Sequence, residues 1–129
     1  MANQFVVELK NEPGGLATLA EALAERGIDL RAIGGGGIGD TGHIIMTTAD
    51  DDAARAVLEA GDYTFIEGES ILTEVDDRPG GMARLSRALA DAGVNIYGHL
   101  FLGRWGDRAM FAFVVDDPDK ARPILERKR

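Results

Sequence analysis

Two six-residue stretches carry the residue types best suited to chemistry: Asn11-Glu12-Pro13-Gly14-Gly15-Leu16 and Asp77-Arg78-Pro79-Gly80-Gly81-Met82. Each follows a short apolar run that reads as a strand, and each precedes a helix-patterned segment. Proline sets one backbone angle, and paired glycines permit conformations closed to other residues. The spacing predicts a tight strand-to-helix turn with bare backbone N–H groups where the helix begins. Such a place attracts a carboxylate or another anion. The chemistry on offer is recognition rather than bond-making.

Other motifs point to less. The run Gly34-Gly35-Gly36-Gly37-Ile38-Gly39 formally contains G-x-G-x-x-G. A dinucleotide loop must open a helix, and here the strand-forming segment 44–48 follows. Glycine within a strand marks a bulge or a close approach of other atoms. A packing role is therefore expected. His43 and His99 are the only histidines and there is no cysteine, so no metal site and no cofactor are expected. Asp50-Asp51-Asp52 reads as a helix N-terminus, not a calcium loop. No Ser/His/Asp set or pair of buried carboxylates emerges, so no catalytic residue is assigned and the chain is not expected to be an enzyme. Glu8 and Glu74 read as solvated sheet residues, and Arg127-Lys128-Arg129 as a solvated tail.

Composition narrows the partners. The 129 residues are 45% hydrophobic and 28% charged, which marks a globular chain. Net charge is −8, from 22 acidic and 14 basic residues, which argues against nucleic acid or an anionic membrane surface. No apolar run approaches the roughly 20 residues of a membrane helix, and no signal peptide is visible. Absence of cysteine fits a cytoplasmic location.

The elements that position the two turns come in duplicate. Aligning Pro13 with Pro79 gives an offset of 66 residues (79 − 13). Leu16, Leu19 and Leu23 then fall on Met82, Leu85 and Leu89. Gly27-Ile28-Asp29-Leu30 falls on Gly93-Val94-Asn95-Ile96, and Asp50-Asp51 on Asp116-Asp117. Phe5, Val7 and Leu9 alternate with Val6, Glu8 and Lys10, as Ile71, Thr73 and Val75 do with Leu72, Glu74 and Asp76, so each copy opens with a half-buried strand. A helix with leucines at helical spacing follows and ends at Gly27 or Gly93. Second strands are expected over 29–38 and 95–104, and third strands over 43–48 and 109–115. Asp50 and Asp116 are the expected N-caps of a second helix, with Pro118 in its first turn. That helix runs to about 60 or 127, and copy one adds a strand over 63–66. The order is β-α-β-β-α-β, then the same without its last strand. The fold class is therefore α+β, two ferredoxin-like units covering 1–68 and 69–129.

On this ordered set (strand, N/D-x-P-G, apolar helix, G-[IV]-[DN]-[LI], strand, twice at one offset) the chain resembles a tandem ACT domain protein. The resemblance implies a small regulatory module of amino-acid metabolism. It would bind a small amino acid where its two repeats meet and modulate a partner enzyme or regulator, with a homo-oligomer as the other implied association. It further implies ligand contacts from Asn11 and Asp29 in copy one and from Asp77 and Asn95 in copy two. The backbone N–H groups of Gly14, Gly15 and Leu16, or of Gly80, Gly81 and Met82, would receive the carboxylate. Leu9 and Val75 stand where some members carry a histidine. The alternative is a ligand-free interaction subunit of an amino-acid biosynthetic enzyme, using an exposed sheet edge or apolar face.

Overall fold

A computed structural model describes residues 2–126. The chain divides into two units, Met1–Gly68 and Glu69–Arg129. In unit 1 the order is β1 (Asn3–Lys10), α1 (Gly15–Glu25), β2 (Leu30–Ile38), β3 (Thr41–Thr48), α2 (Asp51–Ala60) and β4 (Phe65–Glu69). Unit 2 has β5 (Ile71–Asp76), α3 (Gly81–Asp91), β6 (Ile96–Trp105), β7 (Arg108–Val115) and α4 (Pro118–Leu125). The sheets run β2-β3-β1-β4 and β5-β7-β6. This is the α+β, ferredoxin-like plan, with the second copy shortened.

Each sheet is covered on one face. Phe5 and Val7 of β1 and Met46 of β3 share a face, because Phe5 pairs with Met46 across the ladder. Leu19 and Leu23 of α1 and Ala54, Val57 and Leu58 of α2 bury against that face. In unit 2, Ile71, Val75, Phe113 and Val115 meet Leu85 and Leu89 of α3 and Ala121 and Leu125 of α4. The Thr73 hydroxyl donates to the Leu125 carbonyl, so a buried polar group and a helix end satisfy each other. In unit 1 an ion pair ties α2 to the sheet: Arg55 Nε and Nη2 reach Glu67 at 2.6 and 2.7 Å. The Arg55 hydrogen bond holds the Glu67 carboxyl below the usual range, against the opposing effect of burial, and a bond from Asn3 adds to it.

The helices begin in two different ways. Asp50 caps α2 by accepting from the Ala53 N–H at 3.0 Å, and Asp117 caps α4 by accepting from the Lys120 N–H at 3.2 Å. α1 and α3 instead start at Gly14 and Gly80, both at φ 91°, with no side-chain cap and no acidic residue in the first turn. Only glycine holds that left-handed conformation without strain.

Three boundary expectations are corrected. The N-cap of α4 is Asp117, not Asp116, because the offset of 66 becomes 67 partway through the second copy. The extra residue is Leu102, at a bulge between Phe101 and Gly103 that β2 lacks; both second strands share an earlier bulge, at Arg31 and Tyr97. β4 runs through Glu67 and Gly68 to Glu69 rather than stopping at 66. α4 ends at Leu125, and the tail Arg127-Lys128-Arg129 lies outside the described residues. Crowding along the glycine run comes from neighbours within unit 1. A Cβ on Gly35 would overlap the His43 carbonyl of the neighbouring strand, one on Gly37 would meet the Asn11 side chain, and one on Gly36 would meet nothing within 4 Å.

Candidate functional site

Each strand-to-helix turn lines a cleft in its own unit. In unit 1 a cleft of about 670 Å³ is bordered by Pro13, Gly14, Gly15 and Thr18 at the helix start, by Asp40 and Thr41 of the β2–β3 turn, and by Asp62, Tyr63 and Thr64 before β4. In the turn itself, the Gly15 N–H donates to the Glu12 carbonyl at 3.3 Å and the Thr18 N–H to the Gly14 carbonyl at 2.9 Å. Among the described residues, no protein acceptor stands opposite the N–H groups of Leu16 and Ala17. Those two amides are what the uncapped helix start has left to offer. Glu8, Glu12, Asp40 and Asp62 supply four carboxylates around the cleft, against Lys10.

The unit 2 cleft is smaller, about 340 Å³, and differently charged. Val75, Asp76, Asp77, Arg78, Pro79 and Met82 border it together with Arg104, Ala109 and Phe111. The Gly81 N–H is spent on the Arg78 carbonyl at 3.1 Å, and the Arg84 N–H on the Gly80 carbonyl at 2.9 Å. Met82 and Ala83 are left in the position of Leu16 and Ala17. Three guanidinium groups attend this turn. Arg78 pairs with Asp76 at 3.2 Å, Arg104 pairs with Asp77 at 2.7 Å and lies 4.7 Å over the Phe101 ring, and Arg84 reaches over Gly80. Arg108, also bonded to Asp76, anchors the strand end behind them.

The residues named from sequence are only partly brought together. Gly14 and Gly15 border the first cleft, and Asp77 and Met82 the second. Leu16 is exposed beside its turn, and Gly80 and Gly81 shape theirs. Asn11 is engaged elsewhere, its Nδ2 donating to the Gly39 carbonyl at 2.9 Å. Asp29 stands beyond the far end of α1, paired with Arg31 at 3.3 Å. Eleven helical residues, about 16 Å of rise, separate it from Gly14. Asn95 stands beyond α3 in the same way, its N–H bonded to Asp116 Oδ1 at 2.9 Å. Within its own unit, therefore, neither Asp29 nor Asn95 stands beside the amides of the turn.

Sequence reading missed Arg84, Arg104, Tyr63 and Phe111. A signal existed for Arg84, which lies one helical turn past Gly80 and so falls over it. None existed for Tyr63 and Phe111, which arrive from other strands and loops. No group of three or more His, Asp or Glu side chains able to hold a metal ion occurs among the described residues. No helix among them is long and apolar enough to cross a membrane.

Two sheets of this order, each with an open helix start after its first strand, define an α+β protein of two ferredoxin-like units, the second shortened. Residues 4–60 match the ACT domain family. No curated protein matches the sequence. Among solved structures, protein BT0572 from Bacteroides thetaiotaomicron is similar at 23% identity and a TM-score of 0.72, over 97% of this chain and 86% of that one. The ligand-free regulatory subunit of aspartate kinase from Thermus thermophilus is similar at 22% identity and a TM-score of 0.62, over 97% and 89%. The regulatory subunit of aspartate kinase from Thermus flavus follows at 20% and 0.66, over 98% and 92%. At these identities the likeness is one of fold.

Proposed function

We propose that the chain is a tandem ACT module, non-catalytic, that binds a small amino acid and regulates a partner enzyme. The observation that carries this reading is the split between its helices. α2 and α4 are closed by aspartates, while α1 and α3 start at left-handed glycines that leave amides open beside a cleft. A carboxylate fits such a start in charge and in hydrogen bonding. The ACT domain match over 4–60 supports amino-acid recognition, and the aspartate kinase regulatory subunits of similar fold support an enzyme partner. The amine-binding group is left to residues outside the turn, since Asp29 and Asn95 are a helix length away within their own units.

Thermal shift against each of the twenty amino acids at millimolar concentration tests this. A ligand at about one hundred times its dissociation constant adds about 2.7 kcal/mol, which moves the melting temperature by several degrees. No shift with any of them overturns the reading. The second reading, a ligand-free interaction subunit, is favoured by Tyr97, Phe101 and Trp105, which stand 47%, 48% and 62% exposed on β6. Ligand-independent capture of a biosynthetic enzyme, abolished by Phe101→Ser with Trp105→Ser, would establish it instead.

A further inference from the structure

The residue before each Pro-Gly turn is joined to the β-hairpin of its unit, and the two joints differ in chemistry. In unit 1 the Asn11 N–H donates to the Asp40 carbonyl at 2.9 Å, and Nδ2 donates to the Gly39 carbonyl at 2.9 Å. The side chain lies over Gly37, where a Cβ would stand 2.5 Å from Asn11 Oδ1. In unit 2 the Asp77 N–H donates to the Asp107 carbonyl at 2.8 Å, which repeats the backbone half of the joint. The side-chain half is ionic: Arg104 Nε donates to Asp77 Oδ2 at 2.7 Å, and the guanidinium rests on Phe101. β2 and β6, which form one arm of each hairpin, are edge strands of their sheets, bonded on one side only.

We infer that Asn11 and the Asp77–Arg104 pair are latches that relay the state of each turn to an edge strand, one latch neutral and the other ionic. Gly37 is glycine because it seats the Asn11 amide. The neutral latch holds by two hydrogen bonds and a steric seat, so salt leaves it closed. The ionic latch is partly exposed and loosens as charge is screened. The latch itself needs no ligand; its use as a relay rests on the amino-acid reading, so the test below is run without one.

Amide hydrogen exchange of the whole chain, read at residues 35–41 and 102–108, separates the two joints. Asn11→Ala should speed exchange about two- to fivefold in the first segment and leave the second unchanged. Gly37→Ala should do the same, Gly36→Ala should do nothing, and in the Asn11→Ala background Gly37→Ala should add nothing. Raising sodium chloride from about 0.1 to about 1 M, which shortens the screening length from roughly 10 to 3 Å, should speed exchange only in the second segment. Arg104→Gln should remove that salt response. Equal effects of Gly36→Ala and Gly37→Ala would overturn the latch in unit 1, and an equal salt response of both hairpins would overturn its ionic counterpart in unit 2.

Discussion

At Gly14 nothing lies within 4 Å of the place where a side chain would begin; at Gly80, with the same φ of 91°, the Arg84 Nη1 lies 2.8 Å from that place. One turn opens into a cleft with four carboxylates, while the other is attended by three arginines. Backbone shape is thus shared and electrostatics are not. A duplicated turn keeps its geometry because the geometry depends on Pro and Gly, which tolerate little. Its charge depends on the side chains around it, such as Thr18 and Gly37 in copy one against Arg84 and Arg104 in copy two. The amides alone would favour the same anion at both turns. The surrounding side chains favour a carboxylate more at the second, and a ligand that also carries an ammonium group more at the first.

Substitutions at matched positions should expose or erase this contrast. The largest effect is expected at the second glycine. A Cβ at Gly81 would overlap the Asp76 carbonyl, whereas one at Gly15 would sit 3.2 Å from the Lys10 carbonyl. Gly81→Ala should lower stability by about 2 kcal/mol and Gly15→Ala by less than half as much, measured by urea unfolding. Equal losses would mean that the two backbones are as alike in packing as they are in angle. Gly14→Ala and Gly80→Ala force a β-carbon into the left-handed region and should each lose about 1–2 kcal/mol, alike in the two units because the exposed Arg84 side chain over Gly80 can swing aside. Loss of a side-chain cap should not distinguish the units: Asp50→Ala and Asp117→Ala should each remove about 1 kcal/mol.

The smallest expected effect is one of pH. Glu67 titrates lower when folded than unfolded, because Arg55 and Asn3 hold its charged form. Its contribution is therefore complete above the ordinary carboxylate pKa, near 4.3, and fades as pH falls through the lowered folded value. Glu67→Gln should flatten that part of the stability profile in denaturant melts taken across acid pH. An unchanged acid limb would show that the Arg55 pair contributes nothing beyond its packing.

Much of the fold was legible in the sequence because alternation, helical spacing and Pro-Gly punctuation each appear twice. What slipped was anything set by a single residue. Leu102 enters a bulge and shifts every later match by one, which moved the cap from Asp116 to Asp117. β4 outran its expected end because its place beside β1 carries the strand through Glu67 and Gly68, residue types that do not favour strands by themselves. The site was legible as backbone and opaque as side chains. Pro-Gly-Gly announced the open amides, but not that the Asn11 amide is committed to Gly39, nor that Arg104 reaches back from β6 to Asp77. Asp29 and Asn95 were grouped with the turns by motif, and the length of α1 and α3 sets them apart.

The empty start of α1 has a kinetic corollary. A glycine has no rotamer to swing aside, and nothing lies within 4 Å of where a side chain on Gly14 would begin, so an acid group docking there as proposed would meet no side chain at that position. Association at that turn should proceed without a preceding opening step, its observed rate climbing in proportion to ligand concentration with no plateau in stopped flow.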